Sequence, residues 1–236
     1  DHPIRGQPGG DVLVQAQAGT VDVQSALQSG SGSITVVGNV NIVQGAQGDI
    51  STGGTGTIDV AAAGGSTTMV DGATAATAGG NVRYAADQDV AVGGIDAGGG
   101  DVSIVTAAGD ITDNGNADTD VTADELRLDS GGDIGEPDGT GNGLLEIAVV
   151  DLAAKADGAG GLFLSNTQDL TVAEVGPVTV NRVHSDATTG AISDLSLSDV
   201  TTTNNGGSIV LISTGGELVA TDGGDGDSVA IDTDQA

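Results

Sequence analysis

Gly99-Gly100-Asp101-Val102-Ser103-Ile104 states the phrase on which the reading of this chain turns: glycine, a small or polar residue, then alternating apolar positions. The same phrase stands at Gly9-Gly10-Asp11-Val12-Leu13-Val14, Gly32-Ser33-Ile34-Thr35-Val36, Gly56-Thr57-Ile58-Asp59-Val60 and Gly79-Gly80-Asn81-Val82-Arg83-Tyr84. It returns at Gly160-Gly161-Leu162-Phe163-Leu164 and Gly206-Gly207-Ser208-Ile209-Val210-Leu211. Counted on the last glycine of each copy, the early repeats lie 20 to 24 residues apart. A shorter phrase falls between them, at Gly19-Thr20-Val21-Asp22-Val23, Gly48-Asp49-Ile50, Asp89-Val90-Ala91-Val92, Gly109-Asp110-Ile111 and Asp169-Leu170-Thr171-Val172. Alternation of period two is the mark of a strand with one buried face, and glycine marks the turns between strands. A unit this short cannot hide its apolar face alone, whereas stacked units can. The predicted fold is all-β: one parallel β-helix, or β-solenoid, over residues 1–236 with 20–24 residues per coil. At ~4.8 Å per coil, roughly ten coils would form a rod on the order of 50 Å long.

Composition agrees. The chain has one Tyr, one Phe, no Trp and no Cys among 236 residues, with 42 Gly. A thick globular core or a tandem of β-sandwiches would be built around buried aromatics, and a sandwich would show no such register. Disorder would be poor in Val, Ile and Leu, which recur here in runs such as Ile209-Val210-Leu211-Ile212. Two places depart from the rhythm. Residues 113–142 read as an irregular Asp/Gly-rich insertion, and Leu144 to Leu152 has helical propensity but strand-like alternation, which favours strand.

The net charge of −29 excludes nucleic acid and an anionic membrane surface as partners, because phosphate binding needs clustered cations. No apolar run reaches the ~18 residues that a spanning helix requires, so no membrane insertion is expected. Self-repulsion of this size calls for salt or bound cations and fits a saline or calcium-rich extracellular setting. No signal peptide is visible at Asp1, which is expected of a mature product or a segment of something longer.

Ala123-Asp124-Glu125-Leu126-Arg127-Leu128-Asp129-Ser130-Gly131-Gly132-Asp133-Ile134-Gly135, with Gly161-Leu162-Phe163-Leu164-Ser165-Asn166-Thr167-Gln168-Asp169-Leu170-Thr171-Val172, resembles the repeats of filamentous-haemagglutinin-like giant bacterial surface adhesins. The resemblance implies a right-handed β-helical shaft, export to the bacterial cell surface, and roles in adhesion, biofilm or fibre formation. The secretion domain of that family is not recognisable here.

No catalytic constellation is expected. The cations Arg5, Arg83, Arg127, Lys155 and Arg182 are scattered, and Tyr84 and Phe163 sit in strand phrases rather than on a sugar-stacking platform. With 34 acids, any carboxylate pair is uninformative as glycosidase chemistry. His184-Ser185-Asp186 holds the letters of a triad, but adjacent residues of an extended chain point to opposite faces, so a solvated loop is predicted. Two distant His and no Cys leave zinc and iron without their usual ligands. The glycines Gly98 to Gly100 are followed by Asp101 and no Lys, which would repel a phosphate.

Calcium is the one cofactor to weigh. Asn114, Asn116, Asp118 and Asp120 place oxygens at every second position, with Glu125 at the twelfth, but Thr119 stands where the EF-hand turn needs Gly. Gly223-Gly224-Asp225-Gly226-Asp227-Ser228 resembles a calcium-binding solenoid nonapeptide, with Ser228 in place of its Asp. The expected function is therefore structural and non-enzymatic: a β-solenoid subunit or segment of a surface fibre that stacks end to end on itself or on a covalent continuation. A calcium-stabilised module of a giant adhesin is the alternative, and a polysaccharide-cleaving β-helix the distant one. Neither end shows an amphipathic capping helix, and the last apolar phrase, Ser228 to Asp232, is not followed by a polar lid.

Overall fold

The computed structural model describes residues 4–5, 9–115, 118–137, 143–203 and 207–233. It is a parallel β-solenoid with three strand-bearing faces and no helix among the described residues. The long face stacks Val12–Ala16, Ile34–Gly38, Ile58–Ala62, Val82–Ala86, Val102–Thr106, Glu125–Ser130 and Asp151–Ala156, then Leu170–Val172 and Leu218–Ala220. Its register runs Val12, Ile34, Ile58, Val82, Val102, Leu126, Leu152, six steps of 20 to 26 residues each. The second face holds nine strands, from Ile4–Arg5 and Leu27–Ser29 to Gly161–Asn166 and Ser208–Ser213. The third holds five short strands, from Val21–Val23 to Ile111–Asp113, and continues through single bridges at Ile134 and Leu162.

The phrase builds the coil in a simple way. Its alternate apolar residues point inward and stack on their counterparts: Val36, Val60, Tyr84, Ile104 and Leu128 form one column, all with no exposed surface. The aspartates have a defined job too. Asp89 Oδ1 accepts the N–H of Asp110 at 3.0 Å, Asp110 Oδ1 that of Asp133 at 2.7 Å, and Asp133 Oδ1 that of Gly161 at 2.9 Å. Each aspartate thus holds the backbone one coil further on. The glycine before it makes room: a Cβ on Gly132 would lie 2.0 Å from Asp110 Oδ1. The Gly-Asp pair is the sequence trace of that contact.

Three expectations are refined. The stack is shorter than ten coils, because the chain leaves the solenoid after Val172 to make an antiparallel hairpin, Val178–Val183 with Thr189–Asp194, before re-entering at Val200–Thr202. Within the stretch 113–142, Val121–Thr122 and Glu125–Ser130 are strands that keep register with both neighbours. The segment from Leu144 to Leu152 is strand, broken into Leu145–Ala148 and Asp151–Ala156 by a corner where Val149 is buried and Val150 is 46% exposed.

Tyr84 fills the interior, its Oη donating to Gln44 Oε1 at 2.9 Å while Gln44 Nε2 donates to Thr74 O at 2.7 Å. Burial pushes the Tyr84 hydroxyl far above its ordinary pKa, so it stays protonated and able to donate to Gln44. Tyr84→Phe strands a buried acceptor and is expected to lower unfolding free energy by about 1–3 kcal/mol in a urea titration followed by far-ultraviolet circular dichroism. Unchanged stability would mean that Gln44 finds another donor.

Candidate functional site

Three polar assemblies stand out, and each joins residues from separate parts of the chain. The first lies beneath the hairpin. On the outer side of the long face, Thr35, Asp59, Arg83, Ser103, Arg127 and Ala153 form one column. The hairpin runs back along it. Val183 N–H donates to Thr35 Oγ1 at 2.9 Å, Asn181 N–H to Thr57 Oγ1 at 2.8 Å, and Arg127 Nε to Leu195 O at 2.7 Å. Asp59, with no exposed surface, accepts from Arg182 Nε at 2.6 Å and from Arg83 Nη1 at 3.3 Å. Arg83 Nε reaches both oxygens of Asp194, at 3.0 and 2.9 Å, and Ser103 Oγ donates to the same carboxylate at 2.8 Å. Val178, Val180 and Val183 are buried against this face. Three of the five cations that look scattered in the sequence, Arg83, Arg127 and Arg182, are gathered into a clasp.

The second assembly is a triad of acids at a coil corner. Asp113 ends a third-face strand, Asp120 precedes Val121–Thr122, and Glu146 lies one coil on; one carboxylate oxygen of each falls within 4.8 Å of the others. Asp120 is 1% exposed, and its Oδ2 accepts Glu146 N–H at 2.8 Å. Burial first, then the charges of Asp113 and Glu146 and a side-chain hydrogen bond with Glu146, push its carboxyl up to about 9 against the pull of that backbone N–H. A carboxyl raised in this way favours its protonated form beside the other two acids.

The third assembly joins the hairpin's return to the last coil. Asp199, on positive φ (66°), sits just before Val200–Thr202, while Asp222, Asp225 and Asp227 come from the loop that leads to Ile231–Thr233. One oxygen of each lies within 4.8 Å of the other three. Asp199 is 1% exposed; its Oδ1 accepts Gly223 N–H at 2.8 Å and its buried Oδ2 accepts nothing. Burial, with the negative charges of Asp225, Asp222 and Asp227 behind it, holds the Asp199 carboxyl above the usual carboxylate range, while the Gly223 N–H acts in the other direction. Beside the group is a cleft of about 320 Å³ lined by Lys155, Glu174, Leu197 and Gly224 among others.

The calcium candidates from the sequence are thus divided. Asp225 and Asp227 belong to the third assembly and Asp120 to the second. Asp118 lines a separate cleft with Asp71 and Thr119, and Asn114 ends the strand edge with its N–H on Val92 O. Asn116 lies outside the described residues. Glu125 starts a long-face strand, accepts Gly176 N–H at 3.3 Å, and has Asp101, Asp151 and Asp124 as its charged neighbours. Among the described residues, Asp118, Asp120 and Glu125 do not fall into one carboxylate group. Asp113, Glu146, Asp199 and Asp222 are not singled out by any sequence motif; Glu146 and Asp199 meet their partners across a coil or a hairpin, whereas Asp113 and Asp222 lie a few residues from theirs but outside the motif spacings. His184, Ser185 and Asp186 form the exposed hairpin turn, with Asp186 Oδ1 held by Thr188 Oγ1 at 2.7 Å.

The class that this geometry defines is the parallel β-solenoid with an external hairpin clasp. No protein-family model matches the chain, nor does any curated protein or solved structure compared with it.

Proposed function

We propose that this chain is a non-enzymatic structural protein, a segment of an extracellular shaft on the bacterial cell surface that joins end to end with another solenoid unit. The observation that carries this reading is the face of the last coil. Among the described residues, Ser208–Ser213 and Leu218–Ala220 are hydrogen-bonded on one edge only. Leu218 stacks on Leu170, which is 1% exposed, yet Leu218 itself is 41% exposed. Ile212, Val219 and Ile231 are 38 to 40% exposed in the same coil. An open edge of this kind, with the core column reaching solvent, is a template for further parallel pairing. The commitment of Arg83, Arg127 and Arg182 to the clasp supports the non-enzymatic part, since it takes them out of any carboxylate groove.

Electron microscopy of the purified chain at physiological salt tests it. Fibres of uniform width are expected, and Leu218→Asp should abolish them while leaving the circular dichroism spectrum intact. Separate particles at every concentration tried, for the parent chain as well as the variant, would overturn self-association and leave only joining within a longer chain. Depolymerisation of a polysaccharide by the pure protein would overturn the structural reading itself.

A further inference from the structure

We propose that Asp199, Asp222, Asp225 and Asp227 form a calcium site that ties the base of the hairpin to the last coil. Two independent observations meet here. One is the convergence of four carboxylates, three of them from one Gly-rich loop and the fourth from a different part of the chain. The other is the buried Oδ2 of Asp199, which has no hydrogen-bond partner although the residue is 1% exposed. A carboxylate oxygen out of water and without a donor is costly unless a cation completes it.

Among the described side chains none supplies that cation. The charges that act on Asp199 are Asp225, Asp222 and Asp227, all negative. Lys155, on the neighbouring cleft, is taken by Asp157 at 2.8 Å; Arg83, Arg127 and Arg182 pair with Asp59, Asp194 and Asp129. The triad at Asp113, Asp120 and Glu146 differs in geometry, because a side-chain hydrogen bond joins Asp120 to Glu146 and no flexible Gly-rich loop supplies its acids.

The chemistry of the donors selects the ion. An all-oxygen set without His or Cys suits a hard cation. Four carboxylates on a loop with Gly223, Gly224 and Gly226 give a number and pliancy of ligands that suit calcium, whereas magnesium demands near-octahedral geometry and keeps its waters. Asp199 sits where the chain re-enters the solenoid from the hairpin, so an ion there would fasten the 221–228 loop to that re-entry point. This does not depend on whether the coil ends join.

Calcium titration calorimetry on the whole chain at physiological salt provides the test. Saturable binding is expected, weakened by about tenfold or more in Asp225→Asn/Asp227→Asn, which loses two charged ligands. Glu217→Gln, an exposed acid outside the group, and Asp120→Asn, in the triad, should bind as the parent does. Both changes in the paired variant are at exposed loop positions, and circular dichroism verifies that it folds. Hydrogen exchange across 221–228 should slow with calcium in the parent and not in the paired variant. Absence of saturable binding would overturn the proposal, as would identical titration of parent and paired variant, which indicates charge screening. Loss of binding in Asp120→Asn alone would place the ion at the triad and equally overturn it.

Discussion

Asp59→Ala is expected to lower the unfolding free energy by about 3–5 kcal/mol, the usual consequence of breaking a buried ion pair from one side. The Asp59 side chain has no exposed surface and accepts from two guanidiniums, Arg182 at 2.6 Å and Arg83 at 3.3 Å. Once it is removed, Arg83 keeps Asp194, but Arg182 is left facing the long face without an acceptor. The hairpin can then lift and rehydrate Arg182, which bounds the loss by the free energy of hairpin docking. Urea unfolding measures the first effect. Limited trypsin digestion measures the second, since cleavage after Arg182 should speed up well before the solenoid unfolds. Asp59→Asn, which keeps an acceptor but not the charge, should fall between. A loss of less than about 1 kcal/mol with unchanged proteolysis would show the network behaving like exposed surface pairs.

Gly80→Ala is expected to destabilise by about 3 kcal/mol, the upper end of ordinary overpacking. The last glycines of successive phrases stand one above another at a corner of the coil, and a Cβ on Gly80 would lie 2.0 Å from the carbonyl oxygen of Gly56. The obstacle is backbone, so no rotamer relieves it. The coils must separate there, yet Ile58 and Val82 begin a fully registered ladder two residues later. Thermal unfolding should show a lowered midpoint. Gly99→Ala serves as control, because its Cβ would meet nothing within 4 Å and its φ is ordinary. Equal midpoints for the two variants would sink the argument that the phrase glycine is dictated by coil-to-coil contact.

These two residues illustrate what a repeat does and does not reveal. Gly80 is visible in the sequence because the corner it serves recurs in every early coil. Asp59 is invisible as a hub: within Ile58-Asp59-Val60 it is one more polar residue on the outer side of a strand. Its neighbours Arg83 and Arg182 are 24 and 123 residues away. The aspartates of the Gly-Asp phrase read as surface charge, although each holds the next coil's backbone. Their acceptor role emerges only when the register brings Asp110 beneath Asp133.

The sequence by itself determined the period, the strand phrases, the turns and hence the parallel solenoid. Those depend on alternation and backbone conformation within a few residues and repeat from coil to coil. It did not determine which face a phrase occupies. The copies at Val82 and Val102 build the long face, whereas those at Leu162 and Ile209 build the second, because the lengths of the intervening connections set the phase and carry no alternation of their own. Nor did it determine the clasp or the acidic groups. Asp199 meets Asp222, Asp225 and Asp227 only because a hairpin leaves the stack and returns beside a later loop. Such meetings are fixed by where whole coils come to rest, which only the tertiary structure decides.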